Sequence, residues 1–342
     1  MVDLFFVLSG FVILHSYGDK IGRSTSIIRF MFLRFARLYP LHFALLLVFL
    51  VIELLKYIAA TSFGIASNSP PFERNNFEAF IYNLFLVQSM GLLDHETFNR
   101  PSWSISTEFY TYLIFACLLL SFTSKPSRWI VFPTITLGSL IVIVSLGHHS
   151  LTFTGTYSVF RCTFGFFIGT IAYLIFEKLN EAKLSEFKSK YAPALTYLTT
   201  VCLLILLWTK RDNWIEFLVP FVVAALVLFL TLSPTSILSN MLLQPFLRWL
   251  GKISYSIYMI HMAVLWGVSQ TLNVVFSFPA TVEGNDLVFQ TSQLQGTCLL
   301  LAVLALVLAM SHFTFCLIEE PFRKKAKSWV NRIERTDQAT SG

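Results

Sequence analysis

Long apolar stretches alternate with short polar segments along this chain of 342 residues. A helix crosses the hydrocarbon core of a membrane with about 17–25 predominantly apolar residues. Nine stretches meet or approach that length, and the first is the shortest: 4–17, 38–59, 104–122, 129–147, 157–177, 193–209, 214–231, 254–275 and 295–317. The pattern predicts an all-α, polytopic transmembrane helical bundle of about nine spans, because a helix satisfies its own backbone hydrogen bonds in lipid.

A further apolar segment at residues 77–92, "FEAFIYNLFLVQSMGL", resembles a tenth span. Counting it as a span would move the lysine-rich loop at 178–190 and the basic C-terminal tail to the opposite side of the membrane. Because basic loops normally face the cytoplasm, we interpret 77–92 as an interfacial or re-entrant helix. It would lie within a large outer loop at about 60–103.

The composition agrees with a membrane protein. Hydrophobic residues make up 55% of the chain and charged residues only 13%, whereas soluble domains carry about 25% charged residues. The five cysteines lie in apolar runs and show no CxxC or Cys/His spacing. This pattern predicts neither a metal site nor a disulfide framework.

The net charge of +6 raises the possibility of nucleic-acid binding. Of the 25 lysines and arginines, however, 19 fall on one side of the predicted bundle. This asymmetry is the positive-inside pattern of membrane proteins, and it places the basic face against the cytoplasm and anionic lipid headgroups. It argues against nucleic acid as a partner and places the C-terminus in the cytoplasm.

The division into domains follows from the same pattern. Residues 1–323 form one membrane domain, and residues 324–342 are expected to be a basic cytoplasmic tail without regular structure. Nine spans with a cytoplasmic C-terminus put the N-terminus outside, although only Met1, Val2 and Asp3 precede the first span.

Two charged residues lie inside predicted spans at matching depth. Glu108 in "RPSWSISTEFY" and Arg161 in "YSVFRCTFGFFIG" are each a few residues from the outer end of their helix. An ionised side chain at the bilayer centre costs about 2.5–3.5 kcal/mol on insertion scales, and such residues usually face a cavity or a partner. Glu108 and Arg161 are therefore candidates for a catalytic pair. One alternative is that Glu108 lies close enough to the outer surface to stay hydrated. The other is that the two residues form a purely structural ion pair.

A cluster of hydroxyl groups precedes Glu108 in the same motif. It consists of Ser102, Ser104, Ser106 and Thr107. These groups form either a polar pocket with Glu108 or simply the capped start of a helix.

His261, in "SYSIYMIHMAV", lies about eight residues into its predicted span. It is a candidate catalytic residue, because histidine can transfer protons near neutral pH. The alternative is a histidine that hydrogen-bonds to a neighbouring helix and has no catalytic role.

The stretch "RFMFLRFARLYPLH" carries Arg34 and Arg37 three residues apart, which places both on one face of a helix. Guanidinium groups suit the phosphates of a nucleotide-bearing donor. Alternatively, these arginines only set topology, as basic residues do just before a span.

Six motifs occur in a recognisable order: "VDLFFVLSGFVI" (2–13), "RFARLYPLH" (34–42), "RPSWSISTEFY" (100–110), "RCTFGFFIG" (161–169), "ISYSIYMIH" (253–261) and "IEEPFR" (318–323). Together they resemble the acyltransferase-3 family of membrane-bound acyltransferases. The resemblance covers residues 2 to about 323.

The resemblance implies an enzyme of the bacterial inner membrane that transfers an acyl group, commonly acetyl. Acyl-coenzyme A would be the donor on the cytoplasmic side, with no other cofactor. The acceptor would be a hydroxyl of an exported or surface carbohydrate, or of a lipid-linked sugar. Arg34 and Arg37 fall on the family's basic motif, and Glu108 falls on its acidic position after the Trp-Ser pair. Arg161 and His261 fall on recurring polar positions.

One feature of the family is missing from the motifs. Before "VDLFFVLSG", members of the family carry an additional first helix. That helix contains an arginine and, further along, a histidine that is taken as the catalytic base. That helix would supply one more span and return the N-terminus to the cytoplasm. From the sequence we therefore expect a late start site or a truncated gene.

The leading hypothesis is an O-acyltransferase acting on a carbohydrate. One rival is a non-catalytic remnant of such an enzyme. The other is a secondary transporter, although transporters usually show two related halves with broken helices, and the sequence shows no such internal symmetry.

Overall fold

The computed structural model describes residues 2–21, 24–64, 70–182, 187–209, 213–283 and 286–341. Its α-helices over these residues are α1 (Val2–Tyr17), α2 (Ser24–Phe63), α3 (Phe77–Leu84), α4 (Trp103–Ser121), α5 (Lys125–Ser145), α6 (Ser158–Glu181), α7 (Ala192–Trp208), α8 (Val219–Leu232), α9 (Ile237–Leu242), α10 (Pro245–Gln270), α11 (Gln293–Thr314) and α12 (Glu320–Ser341). Two strands, β1 (Ala280–Glu283) and β2 (Asp286–Phe289), pair in antiparallel register. Apart from this short ladder, the predicted all-α class is confirmed.

Short segments of other helical geometry join several of these elements. Turns of 3₁₀-helix precede α4 and α8, at Arg100–Ser102 and Trp214–Leu218. Turns of π-helix occur at Phe187–Tyr191, Thr271–Val275 and Phe315–Glu319. The last of these turns joins α11 and α12 into one continuous helical segment.

Seven helical segments of the described chain are long and apolar enough to cross a membrane. They coincide with seven of the nine predicted spans, and the prediction of a multi-pass helical bundle is confirmed. The other two spans correspond to shorter or more polar helices. α1 has 16 residues. α10 carries Arg248 and Lys252 in its first turns, and the predicted span 254–275 covers only its later part and the π-helical turn.

The segment 77–92 is not a span. Its helix, α3, has eight residues and is capped by the Asn76 side chain, which accepts a hydrogen bond from the backbone N–H of Ala79. At about 1.5 Å per residue, such a helix covers far less than the ~30 Å hydrocarbon core.

The C-terminal tail differs from the expectation of an unstructured segment. It forms α12, which continues to Ser341. Ala326 and Val330, four residues apart on one face, are buried, and Glu320 pairs with Lys324 at 3.0 Å. Both features support a helix. The expectation of an unstructured tail rested on its basic composition, which shows neither the buried face nor the ion pair.

The chain divides into two compact units, which are described separately. The first comprises Met1–Phe32, Ser89–Asp94 and Trp103–Arg248, and the second comprises Leu33–Gln88, His95–Ser102 and Trp249–Gly342. In the first unit, α6 packs against α1, α4, α5 and α8. α6 is accordingly the most buried of the spans in the described chain.

Glycines set the distance between α1 and α6. A Cβ atom at Gly10 would lie 1.9 Å from the Phe166 carbonyl oxygen, and one at Gly169 would lie 2.0 Å from the Val7 carbonyl oxygen. Gly165, four residues before Gly169, faces Phe6 across the same contact. Small residues spaced four apart let helix backbones approach closely in membranes, so only glycine fits this contact.

The second unit contains α3, α11, α12, most of α2 and most of α10. The buried Glu53 carboxylate of α2 accepts hydrogen bonds from the Phe72 backbone N–H and the Asn75 side chain, each at 2.9 Å, and pairs with Lys56 at 3.0 Å. These contacts tie the segment that precedes α3 to the end of α2.

Candidate active site

Glu108 lies in the second turn of α4 and is half-buried. Its Oε1 atom accepts a hydrogen bond from the Ser9 hydroxyl of α1 at 2.8 Å and another from the Tyr112 hydroxyl one helical turn further along α4. The Tyr112 and Ser9 oxygens are themselves 3.3 Å apart. The three groups therefore form a compact triangle around one carboxylate oxygen.

The second carboxylate oxygen of Glu108, Oε2, receives no hydrogen bond from the residues that the structure describes. Two donors on Oε1 hold the side chain in one orientation and leave Oε2 as an acceptor for a further donor. An incoming hydroxyl group could bond to Oε2 without displacing Ser9 or Tyr112. Such an oriented carboxylate can bind and polarise a hydroxyl.

Arg161 of α6 does not pair with Glu108, so the predicted Glu108–Arg161 pair is wrong. Its guanidinium forms a two-pronged ion pair with Asp3 of α1, with Nε–Oδ1 and Nη2–Oδ2 distances both 2.8 Å. Nη1 donates to the Phe153 carbonyl at 2.6 Å, and the group lies over the Trp103 ring at 5.2 Å. Both charged side chains are buried, at 6% and 8% exposure. The position of Arg161 inside a span predicted that it has a charged partner. That position did not predict which helix supplies the partner.

α1 thus supplies the partner of each charged group: Asp3 to Arg161, and Ser9 to Glu108. Both belong to the first motif of the chain, but neither was predicted as a site residue. The acidic residue in the first turn of an apolar helix was the available signal for Asp3. Ser9 had no signal of its own, because a serine inside an apolar run usually bonds to its own helix.

The hydroxyl cluster before Glu108 is divided between the two units, with Ser102 in the second unit and Ser104, Ser106 and Thr107 in the first. The Thr107 hydroxyl donates to the Ser104 carbonyl of the same helix at 2.8 Å. Ser102 belongs to the second unit, where its carbonyl accepts a hydrogen bond from Gln88 at 3.1 Å.

The remaining predicted site residues, Arg34, Arg37 and His261, all lie in the second unit. On α2, Arg34 is half-buried and Arg37 is exposed. Arg37 and Arg323 both interact favourably with the carboxylate of Glu319. Glu319, in the "IEEPFR" motif, is buried and accepts a hydrogen bond from the Ser256 hydroxyl at 3.0 Å. The fifth and sixth motifs therefore meet at the hydrogen bond between Ser256 and Glu319, and Arg37 of the second motif acts on the same carboxylate electrostatically.

His261 is half-buried on α10, and its Nδ1 lies 2.7 Å from the Tyr258 carbonyl of the same helix. Because a carbonyl oxygen only accepts, Nδ1 carries the hydrogen and the neutral ring has its lone pair on Nε2. This bond lies within one helix and is not the contact to a neighbouring helix that the non-catalytic alternative describes, so the role of His261 stays a prediction.

Sequence reasoning attached no role to His42, at the end of the motif "RFARLYPLH". Its Nε2 lies 2.9 Å from the Asn83 carbonyl, and its Nδ1 is buried and accepts no hydrogen bond from the described chain. Asn83 also donates to Thr97 at 2.8 Å. A buried histidine beside a buried asparagine marks a polar core in this unit.

Among the described residues, no group of three or more His, Cys, Asp or Glu side chains is arranged to hold a metal ion.

Comparison with known proteins identifies the family. A family model described as an acyltransferase domain, that of the acyltransferase-3 family, matches residues 1–312. The chain belongs to the acyltransferase-3 family. The predicted resemblance is thus confirmed over nearly all of the sequence, and an acyltransferase is favoured over a transporter.

Relatives within this family carry consistent names. A protein of Staphylococcus aureus (strain COL) named "Putative O-acetyltransferase" is 24% identical over 96% of this chain and 54% of its own length. The "Putative peptidoglycan O-acetyltransferase YrhL" of Bacillus subtilis (strain 168) is 26% identical over 97% of this chain and 52% of its own length.

A third relative, the "Acyltransferase MdmB" of Streptomyces mycarofaciens, is 38% identical over 33% of this chain and 26% of its own length. The chain spans about half the length of the staphylococcal and Bacillus relatives. No solved structure matches it.

Proposed function

We propose that this chain is the membrane-embedded part of an O-acyltransferase that transfers an acetyl group to a hydroxyl of an exported or surface carbohydrate. The observation that carries the proposal is the family match over residues 1–312, together with two relatives named as O-acetyltransferases over almost the whole chain. The peptidoglycan named for the Bacillus relative is the first acceptor to test.

In this reaction the acceptor oxygen bonds to the acyl carbon and the carbon–sulfur bond of the thioester breaks. The hydroxyl loses its proton, and the sulfur leaves as a thiol. The enzyme must orient the hydroxyl and stabilise the negative charge that develops on the carbonyl oxygen. A carboxylate with one oxygen fixed and the other open suits the first of these tasks.

We assign that task to Glu108. Ser9 and Tyr112 fix its Oε1 atom, and Oε2 would accept a hydrogen bond from the acceptor hydroxyl. Because the carboxylate is only half-buried, a substrate can reach it. The ion pair of Arg161 with Asp3 fits a structural role, and we assign no chemical step to Arg161.

The variant Glu108→Gln tests this assignment. Glutamine keeps the shape but removes the charge, so we expect acyl transfer to fall at least about tenfold, about 1.4 kcal/mol of barrier. The measurement is mass spectrometry of base-labile acetyl groups on peptidoglycan and other surface glycans, from a strain lacking the gene and from complemented strains. The amount of protein in the membrane should stay at the wild-type level.

The matched control is Glu177→Gln. Glu177 is another carboxylate of the first unit, and it pairs with Lys125 at 2.6 Å. Because it is partly exposed and lies outside the six motifs, its loss should leave acetylation unchanged. Full activity of Glu108→Gln would refute the assignment. Complemented strains without added acetyl groups on any glycan would refute acyl transfer to carbohydrate.

The donor in this proposal is acetyl-coenzyme A, bound at Arg34 and Arg37 on the cytoplasmic face of the inner (plasma) membrane. Two observations support it: the spacing of three residues on one helix and the exposed position of Arg37. Planar guanidinium groups bind phosphate through paired hydrogen bonds. The charge asymmetry of the chain puts the C-terminal helix α12 on the same face.

Sealed membrane vesicles test the donor and its side together. Inside-out vesicles should use added acetyl-coenzyme A, whereas right-side-out vesicles should not, because coenzyme A does not cross the membrane. The Arg34→Ala/Arg37→Ala variant should need a higher donor concentration, and Arg→Lys should restore only part of the affinity, because lysine lacks the fork. An unchanged donor dependence in the alanine variant would leave these arginines with a topological role only.

A further inference from the structure

The second unit contains an apolar cavity of about 720 Å³ between α2, α10 and α11. Its wall runs from Leu41 to Val48 on α2 and continues beyond Ile260 on α10. The hydroxyls of Thr271 and Thr314, also in the wall, donate to carbonyls of their own helices. The lining therefore offers contacts to hydrocarbon and hardly any polar partner.

The dimensions of the cavity match a lipid tail. On α11 and the π-helical turn that follows it, the wall extends from Leu306 to Ile318, which is about 18 Å at 1.5 Å per residue. Half of a ~30 Å hydrocarbon core is about 15 Å, so the cavity has the length of one leaflet. An acetyl group, with two carbons, would leave most of this volume empty.

One end of the cavity is positively charged. Ile318 in the wall is followed directly by Glu319, and Ser256, one turn before Ile260, bonds to Glu319. Arg37 and Arg323 act on the Glu319 carboxylate, and Lys252, Arg323 and Lys324 act on Glu320. Of these basic side chains, Lys324 pairs with Glu320 at 3.0 Å, and the others act on the two carboxylates electrostatically. Basic pockets between transmembrane helices bind anionic lipid headgroups.

We propose that this cavity binds the hydrocarbon tail of an anionic phospholipid, whose phosphate headgroup lies at the basic end near Arg323 and Lys252. The ligand combines a chain of one leaflet's length with a negative charge at one end. That combination matches an apolar wall ending at a basic cluster. Gly267 and Arg323, which the test below changes, have no part in the acyl transfer proposed above, although Arg37 also belongs to the proposed donor site.

Gly267 provides a way to close the cavity. It lies in the wall on α10, and a Cβ atom there would meet nothing within 4 Å. Gly267→Phe therefore fills the cavity without a backbone clash. The matched control is Gly138→Phe on α5 in the first unit, where a Cβ atom also meets nothing within 4 Å.

The full chain is reconstituted in phosphatidylcholine nanodiscs that contain a small fraction of phosphatidylglycerol with a photoreactive acyl chain. Peptides crosslinked to the probe are identified by mass spectrometry. We expect crosslinks on the part of α10 after Ile260, with at least about fivefold less labelling in Gly267→Phe and unchanged labelling in Gly138→Phe. In Arg323→Gln the preference for phosphatidylglycerol over photoreactive phosphatidylcholine should fall about fivefold, as expected for one basic residue at an anionic headgroup.

Three results would overturn the inference. The first is labelling of α10 that Gly267→Phe leaves unchanged. The second is equal labelling by the two phospholipid probes in the wild-type protein, since the basic end would then select no headgroup. The third is efficient competition by a long-chain acyl-coenzyme A, which would assign the cavity to a donor chain. Thermal unfolding of each variant in detergent verifies that it is folded.

Discussion

Replacing Arg161 with alanine should destabilise the protein by about 3–5 kcal/mol, the usual cost of removing one partner of a buried ion pair. The Asp3 carboxylate, on a side chain only 8% exposed, would lose both hydrogen bonds to the guanidinium. The Phe153 carbonyl would lose its donor as well. We expect a large drop in folded protein, measured as the monodisperse fraction of a fluorescent fusion in detergent and as its midpoint of thermal unfolding.

The double variant Asp3→Asn/Arg161→Gln is the matched comparison. It removes both charges together, so no buried charge is left without its partner, and it should be more stable than Arg161→Ala alone. If Arg161→Ala were as stable as the wild type but inactive, Arg161 would have a chemical role. The interpretation of its ion pair as architecture would then be wrong.

Gly169→Ala should separate α1 from α6 and cost about 1–3 kcal/mol, as expected for overpacking. The added Cβ atom would lie 2.0 Å from the Val7 carbonyl oxygen and 3.0 Å from the Phe11 backbone nitrogen. Both neighbours are backbone atoms of α1, which cannot turn aside as a side chain can. The whole helix must move, and Ser9 and Asp3 move with it. We expect a lower unfolding midpoint and, because Ser9 shifts away from Glu108, reduced acetylation.

Gly138→Ala on α5 is the control for this substitution. It makes the same chemical change inside a helix, but a Cβ atom there meets nothing within 4 Å. Alanine is intrinsically the better helix former, so this variant should be at least as stable as the wild type. Equal stability of Gly169→Ala and Gly138→Ala would contradict the close approach of α1 and α6.

The spans were predictable because lipid imposes a simple requirement: an apolar run long enough to cross and able to satisfy its own backbone. The prediction was weakest where that requirement is not decisive. The segment 77–92 has the composition of a span, and only the charge pattern excluded it as one; its helix α3 indeed ends at Leu84. The tail 324–342 has the composition of a soluble segment, but it is helical to Ser341.

The family was also recognisable from the sequence, because its motifs keep residue types in a fixed order. The match over residues 1–312 confirms it. The roles of Glu108, Arg161, His261, Arg34 and Arg37 remain predictions.

The sequence by itself determined that this is a multi-pass helical membrane protein of the acyltransferase-3 family, and that Glu108 and Arg161 are charges inside its spans. Hydropathy, charge asymmetry and motif order are properties of residue type along the chain, so they need no coordinates. Only the tertiary structure decided the partners of those charges. Asp3 and Arg161 are 158 residues apart, and Ser9 and Glu108 are 99 apart. The depth of a charged residue in the membrane follows from its distance along the sequence to the end of its helix. Which helix supplies the partner depends on how helices pack, here on glycines that bring α1 against α6.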